Sequence, residues 1–224
     1  MQRFFDIIFS LLALLVLCPL LLPIIILLKL TGEGEVFFLQ KRVGKGGIPF
    51  NLFKFATMLK DSANLPGGIY TTKNDSRITP MGGFLRTSKI NELPQLFNVL
   101  LGHMSVVGPR PVMKISFESY PSKVQKVIYS IKPGLTGIGQ VVFRDEEELI
   151  SEVKNNGGDI WSFYKEKIYP YKGELEMWYQ NNKSFSLDIK LIVLTAWVIL
   201  FPTSKLYEKW FKNLPKKNFD DDSK

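Results

Sequence analysis

Only one cysteine, Cys18, and one histidine, His103, occur in the 224 residues. A disulfide framework and a zinc centre of cysteine or histidine are thereby excluded, so any catalytic metal must be held by oxygen, which points to magnesium or a similar hard cation. There are no internal repeats, and no glycine loop has the spacing of a Walker or dinucleotide turn. Acidic residues are the minority charge: 21 Asp and Glu against 29 Lys and Arg leave a net charge of +8. That balance favours anionic partners, whether nucleic acid, an anionic bilayer or phosphorylated substrates. No nucleic-acid recognition motif accompanies it, so nucleic acid is not expected among them.

What the chain does have is a long apolar run. Residues 7–28 read IIFSLLALLVLCPLLLPIIILL, with Ser10 as the one strongly polar side chain, and as a helix they would rise roughly 33 Å, enough to cross a hydrocarbon core. Pro19 and Pro23 each remove a backbone donor, so a break or sharp kink is expected between Cys18 and Pro23. Arg3 precedes the run and Lys29, Lys41, Arg42 and Lys45 follow it, a distribution that casts no strong vote for opposite sides. A re-entrant hairpin satisfies both flanks, with a straight transmembrane anchor as its competitor. For a cleavable signal the run is too long, Asp6 spoils the basic start, and no small-residue cleavage site follows.

Near the other end, residues 191–201 are too short to span and stop at Pro202, as a buried or interfacial helix would. Leu206, Tyr207, Trp210, Phe211 and Leu214 then recur at helical spacing among Lys205, Lys209 and Lys212. That stripe fits either the headgroup layer or a helix packed on the core. The closing DDDSK reads as a solvated tail.

Between these ends the pattern turns β-rich: EVFFLQ and IPFNLFKF flank the turn-forming residues 44–47 and predict a hairpin. Residues 65–80 read as a loop, of a length that tends to be functional. Asn91 is a good helix N-cap, Pro94 is tolerable in the first turn, and Leu93, Leu96, Phe97, Leu100 and Leu101 give one apolar face ending at Gly102. Further helices are expected at about 115–130, 159–168 and 173–180. The fold class is α/β, mostly helical with a small hairpin, and too irregular for a doubly wound sheet.

Chemistry concentrates in a few places. GPRP, residues 108–111, brackets Arg110 between two prolines, presenting a planar guanidinium with little entropy left to lose; phosphate oxygens suit it, and a rigid turn pairing with a carboxylate is the bland alternative. Glu92 in a helix's first turn stays ionised and can bind magnesium or take a proton, although acidic residues are common there for helix stability alone. Lys54 and Arg86 flank this segment, while Arg77 and Arg144 lie in polar loops; singly, each is more often a surface charge. KPGLTGIGQ, residues 132–140, is a tight loop whose amides could approach a ligand, which is weak evidence for a phosphate cradle. The acidic residues 145–148 read as a solvated helix start capped by Asp145.

Taken in order, the broken apolar helix, VFFLQKRVGKGGIPFNLFKFATM, ITPMGGFLRTSKINELPQLFNVLLGHMSVVGPRP, KPGLTG and SFSLDIKLIVLT closely resemble the bacterial sugar transferases, the monotopic phosphoglycosyl transferases. The resemblance covers residues 1 to about 200, and NELPQLFNVL followed by GPRP is highly specific. It implies a magnesium-dependent enzyme that transfers a sugar-1-phosphate from a UDP-sugar to polyprenyl (undecaprenyl) phosphate, releasing UMP, in the first membrane step of surface glycan assembly. It also implies a bacterial inner-membrane location with the catalytic domain on the cytoplasmic face, and a re-entrant helix broken at Pro19. The family's aspartate of an Asp-Glu pair attacks the donor phosphate to form a covalent phosphosugar intermediate.

That acidic pair falls on Asn91 and Glu92, and an amide is no nucleophile for the step. Lys54 matches the family lysine, Ala56 replaces an arginine, and His103 stands where an acid is usual. Arg110, Arg144 and Glu176 keep the family's charge types, with Glu176 where aspartate is common. Glu92 and Glu176 are the expected metal ligands, and Lys54, Arg86, Arg110 and Arg144 the expected phosphate ligands. Residues 1–30 are expected as the membrane helix, 31–202 as the catalytic domain, and 203–224 as an interfacial helix and acidic tail. A catalytically inactive relative that binds prenyl phosphate or scaffolds glycan assembly is the alternative raised by Asn91.

Overall fold

The computed structural model describes residues 2–62, 64, 65, 71, 72 and 75–217. Its elements are α1 (Gln2–Leu30), β1 (Phe37–Val43), β2 (Pro49–Phe55), α2 (Pro80–Thr87), α3 (Gln95–Leu101), β3 (Ser105–Val107), α4 (Lys114–Glu118) and α5 (Ser122–Ser130), followed by β4 (Gly134–Thr136), α6 (Ile138–Val142), α7 (Glu146–Asn155), α8 (Ile160–Phe163), α9 (Tyr169–Asn182), α10 (Phe185–Leu200) and α11 (Leu206–Trp210). The architecture is mostly helical with small sheets, as the sequence predicts. The acidic tail and much of the 65–80 loop lie outside the described residues.

Two compact units divide the chain, residues 1–42 with 49–106, and residues 43–48 with 107–224. In the first, α1 is helical from Gln2 to Leu30 through Pro19 and Pro23, without a break between helices. Those prolines leave the carbonyls of Leu15 and Pro19 without their usual intrahelical donors, one turn apart. Packing holds the helix through this weak point. Its buried residues, Asp6, Ser10, Leu21, Ile24 and Leu28, with the partly buried Leu14 and Leu17, step by three or four and form one stripe.

The stripe changes character along its length. At the polar end the Asp6 carboxylate is 2% exposed and accepts from Ser105 Oγ at 2.8 Å and from Val106 N–H at 2.9 Å. Arg3 donates to the last carbonyls of α3, those of Val99 and Leu100, as a cation at a helix C-terminus should. At the apolar end Leu21, Ile24 and Leu28 pack with Phe55, Leu85, Ile90 and Leu93. The opposite face of α1 exposes Phe4, Leu12, Leu15, Val16 and Leu30, each more than half accessible.

The hairpin forms as expected. Gly46 and Gly47 take the positive φ values, 69° and 78°, that its turn requires. Asn98, fully buried in α3, ties that helix to β2: its Oδ1 accepts from Phe53 N–H at 2.9 Å and its Nδ2 donates to Asn51 O at 2.7 Å. The apolar face foreseen around α3 is split. Leu96 and Val99 are buried while Phe97 and Leu101 are 46% and 62% exposed; the buried side of α3 is the one that carries Asn98 toward β2. Arg77 is no surface charge either; it is 3% exposed and forks onto Asp75 at 2.9 and 2.6 Å. That guanidinium holds the Asp75 carboxyl below the usual range.

In the second unit the expected 115–130 helix is two, because Pro121 ends one and caps the next. Conversely, the expected 159–168 and 173–180 helices are continuous through a π turn at Tyr164–Ile168 just before Pro170. The core gathers Ile138, Ile168, Leu175, Tyr179, Leu191 and Leu194, all essentially inaccessible.

Asp6→Ala leaves the Val106 amide and Ser105 hydroxyl unsatisfied in a buried place. It is expected to destabilise the chain by about 2–3 kcal/mol. A denaturant midpoint of the detergent-purified protein measures this, and an unchanged midpoint would show the clamp to be idle.

Candidate active site

Lys89 opens the turn that carries Asn91 and Glu92 in the left-handed region, φ 60°, a costly conformation for a side chain with a Cβ. A 3-10 turn follows over Ile90–Glu92, closed by Glu92 N–H to Lys89 O and Leu93 N–H to Ile90 O, both 3.1 Å. Ile90 and Leu93 point into the apolar contact with α1, which fixes the two residues between them. Asn91 is therefore not the helix cap that its residue type suggested; Pro94 takes the cap position, without a side-chain bond. Asn91 is 5% exposed and its Oδ1 is buried with no hydrogen-bond partner.

Glu92 sits beside it, its side chain 17% exposed, with Lys54 Nζ of β2 at 3.8 Å. The turn packs on both β2 and α2, so Lys54, Asn91 and Glu92 share one neighbourhood in the first unit, with Arg86 on the adjoining helix. His103 serves packing, its ring 5.8 Å from that of Phe50.

Arg110 belongs to the second unit. Pro109 and Pro111 have no N–H, so the amide of Arg110 is the one donor between them, and it goes to the Glu176 carboxyl of α9. Glu176 is 4% exposed and its Oε2 has no partner. Burial pushes its pKa from 4.5 up to about 7, against the opposing pull of the Arg110 amide and Lys172. Gly139 leaves room for it, since a Cβ there would lie 3.1 Å from Oε1.

The glycines of KPGLTGIGQ have a purpose other than cradling a ligand. A Cβ on Gly134 would fall 2.1 Å from Gly108 N, and one on Gly137 2.2 Å from Gly108 O. They let two backbones touch: Gly108 N–H donates to Thr136 O at 2.9 Å and Gly134 N–H to Pro109 O at 2.8 Å. The loop is the bed on which GPRP lies.

Glu146 and Lys172 escaped the sequence reading. Glu146 is not a solvated helix start; it pairs with the ammonium of Lys172 and accepts from Tyr164 Oη at 2.5 Å. Burial alone would raise its pKa, but Lys172 and Arg110 outweigh it and hold the carboxyl below its ordinary value. Burial pulls Lys172 down, more than Glu146 raises it. The Lys172 ammonium also lies 4.8 Å from the Phe143 ring centre. The i, i+4 spacing of Lys172 and Glu176 on α9 was a readable signal; the pairing with Glu146 was not. Asp145 caps α7 without a side-chain bond, and Arg144 is half-buried between α6 and α7.

No group of three or more His, Cys, Asp or Glu able to hold a metal occurs among the described residues. The orphaned Asn91 Oδ1 beside the Glu92 carboxylate supplies two hard oxygen donors in the first unit. This fits magnesium, which takes few protein ligands and completes its shell with phosphate and water.

Residues 1–202 match the family model described as bacterial sugar transferase. The chain is 37% identical over 198 residues to UDP-glucose:undecaprenyl-phosphate glucose-1-phosphate transferase of Klebsiella pneumoniae, covering 87% of this chain and 39% of that protein. With the protein of the same name from Xanthomonas campestris pv. campestris it shares 38% over 194 residues, 85% of this chain and 37% of the relative. It is 44% identical over 146 residues to the exopolysaccharide production protein PSS of Rhizobium leguminosarum bv. phaseoli, 63% of this chain and 73% of that one. The chain thus spans about two fifths of the length of the two glucose-1-phosphate transferases.

A carboxyl whose folded pKa lies above its unfolded value contributes stability that is fully present below about 4.5 and lost as pH rises through about 7. Glu176→Gln should therefore flatten the decline in melting temperature between pH 5 and pH 8. Superimposable pH profiles for the two proteins would contradict that protonation.

Proposed function

The chain belongs to the bacterial sugar transferase family, and from that premise we propose that it transfers a sugar-1-phosphate from a UDP-sugar to polyprenyl phosphate, releasing UMP. The pathway step would be the initiation of surface glycan assembly on the cytoplasmic face of a bacterial inner membrane. The observation that carries the site assignment is the buried, unpartnered Asn91 Oδ1 next to Glu92 and Lys54.

In this reading Glu92 and Asn91 Oδ1 hold magnesium, which would offset charge on the donor diphosphate. Lys54 and Arg86 bind phosphate oxygens in the first unit, and Arg110 and Arg144 do so in the second. Glu176 fixes the backbone under Arg110. Its unpartnered Oε2 leaves it an oxygen for a cation as well.

An amide cannot form the acyl-phosphate that a carboxylate at position 91 would. The route we assign is direct: an oxygen of the prenyl phosphate attacks the sugar-bearing phosphorus in line. The phosphoanhydride bond breaks, and its electron pair leaves on UMP. Both substrates must then be bound together. With magnesium and UDP-sugar alone, no UMP and no phosphosugar adduct should form; adding undecaprenyl phosphate should release UMP. Glu92→Ala should lower that rate about a hundredfold or more, and Asn91→Asp should allow UMP release from UDP-sugar alone. An adduct on Glu92 by mass spectrometry would overturn the direct route, and a rate indifferent to Glu92→Ala the site itself.

We assign residues 1–30 to a re-entrant membrane helix, 31–202 to the catalytic domain and 203–224 to an interfacial segment and tail. What supports the first is that both ends of α1 are tied to the same unit, Asp6 through Ser105 and Val106 and Leu28 through Phe55 and Leu85. A helix tied to one body near both of its ends is poorly placed to carry one end across a bilayer. In a Cys18→Ser background, Gln2→Cys and Thr31→Cys should both react with an impermeant maleimide from the cytoplasmic side. Labelling from opposite sides would establish a straight span.

A further inference from the structure

At the C-terminal end of the second unit, the end of α9, the start of α10 and the α11 segment enclose a cleft of about 240 Å³. Lys190 and Lys212 line it together with Trp178, Trp210 and Phe211, and no carboxylate does. Neither lysine forms an ion pair among the described residues. Two lysines lining a cleft that no carboxylate lines favour an anion there. The Trp178 ring, 5.3 Å from that of Phe211, forms part of the wall, and its Nε1 is buried without an acceptor.

What kind of anion follows from the rest of α10. One side of the helix is core, with Leu187, Leu191, Leu194 and Val198 buried. The other side carries Phe185, Ile189, Val193, Trp197 and Leu200, between 37% and 72% exposed, at steps of three or four residues. They make one apolar stripe that begins beside the cleft. A small water-soluble anion has no use for such a stripe. A lipid has, because its charged group and its chains must be met by adjoining surfaces of opposite character. Lys205 and Lys209 add exposed positive charge around α11, the pattern that an anionic leaflet attracts.

We propose that this cleft seats the headgroup phosphate of an anionic glycerophospholipid, with the outer stripe of α10 laid among the acyl chains. The chain would thus have a lipid site separate from the Asn91–Glu92 turn. This rests on the membrane reading given above and adds to it a preference for lipid charge.

The test uses the full chain in zwitterionic detergent with Trp161→Phe and Trp197→Phe, so that Trp178 and Trp210, the other two of its four tryptophans, report on the cleft. Dihexanoyl phosphatidylglycerol should give a saturable fluorescence change. Dihexanoyl phosphatidylcholine on this protein, or phosphatidylglycerol on the added Lys190→Gln/Lys212→Gln pair, should need about thirtyfold more lipid. Equal responses to the two lipids, an equal response to inorganic phosphate, or an unaltered response in the lysine variant would each overturn the proposal. So would a raised KM for polyprenyl phosphate in that variant with the phosphatidylglycerol response intact, since the cleft would then serve the acceptor. Flotation with phosphatidylcholine vesicles separates the two readings. A chain that floats yet ignores lipid charge lacks the cleft's function alone, and a chain that floats with no vesicle defeats the membrane reading as well.

Discussion

The contact between α1 and the body of the first unit is the constraint from which the rest of that unit follows. Its stripe begins with a buried carboxylate and ends in aliphatic side chains, and the two ends do different work. Asp6 sets position, because a buried carboxylate accepting from a particular amide and hydroxyl admits no sliding, whereas an apolar surface alone would tolerate several registers. The Leu21, Ile24 and Leu28 end supplies area and reaches Ile90 and Leu93, the residues on either side of Asn91 and Glu92. The Asn91–Glu92 turn is thereby braced by the segment that we assign to the bilayer, and Lys89 can be held in its left-handed conformation.

The second unit solves a similar problem with backbone in place of side chains. Arg110 is useful only if its chain is stiff, and two prolines provide stiffness without the hydrogen bonds that would anchor it. Those bonds come from outside: Pro109 O accepts from Gly134 N–H, and the Arg110 amide goes to Glu176. The close approach demands glycine at 134 and 137, where any side chain would strike Gly108. The cost is a buried carboxyl whose pKa burial pushes up to about 7, against the pull of the Arg110 amide and Lys172.

Local patterns survived the passage from sequence to structure and long-range partnerships did not. The hairpin was legible because Gly46 and Gly47 encode their own backbone, and the length of α1 because its apolar run is continuous; which of its residues face the body was not, since an all-apolar run has no contrasting face. Asp6 reads in sequence only as an interruption of a basic start; its partners lie about a hundred residues away. The glycine-rich loop misled for a related reason, since the permissiveness that admits a phosphate also admits a second backbone, and nothing in residues 132–140 says which. Asn91 looked like a cap because Asn usually caps, yet the preceding Lys89 had already turned the chain.

The identity of residue 91 bears on more than the missing nucleophile. At 5% exposure, a second carboxylate next to Glu92 would have to be buried against a like charge, and either a bound cation or a raised pKa would be needed to tolerate it. An amide removes that requirement. The turn can then form, with Glu92 facing Lys54 at 3.8 Å, before any metal arrives, and Oδ1 still offers an oxygen to a cation that comes with the diphosphate. The replacement therefore exchanges a site that must be neutralised in order to fold for one assembled in advance. Under the transfer proposed above, what it would surrender is the option of storing the phosphosugar on the protein, and the two substrates would then have to meet in a single complex.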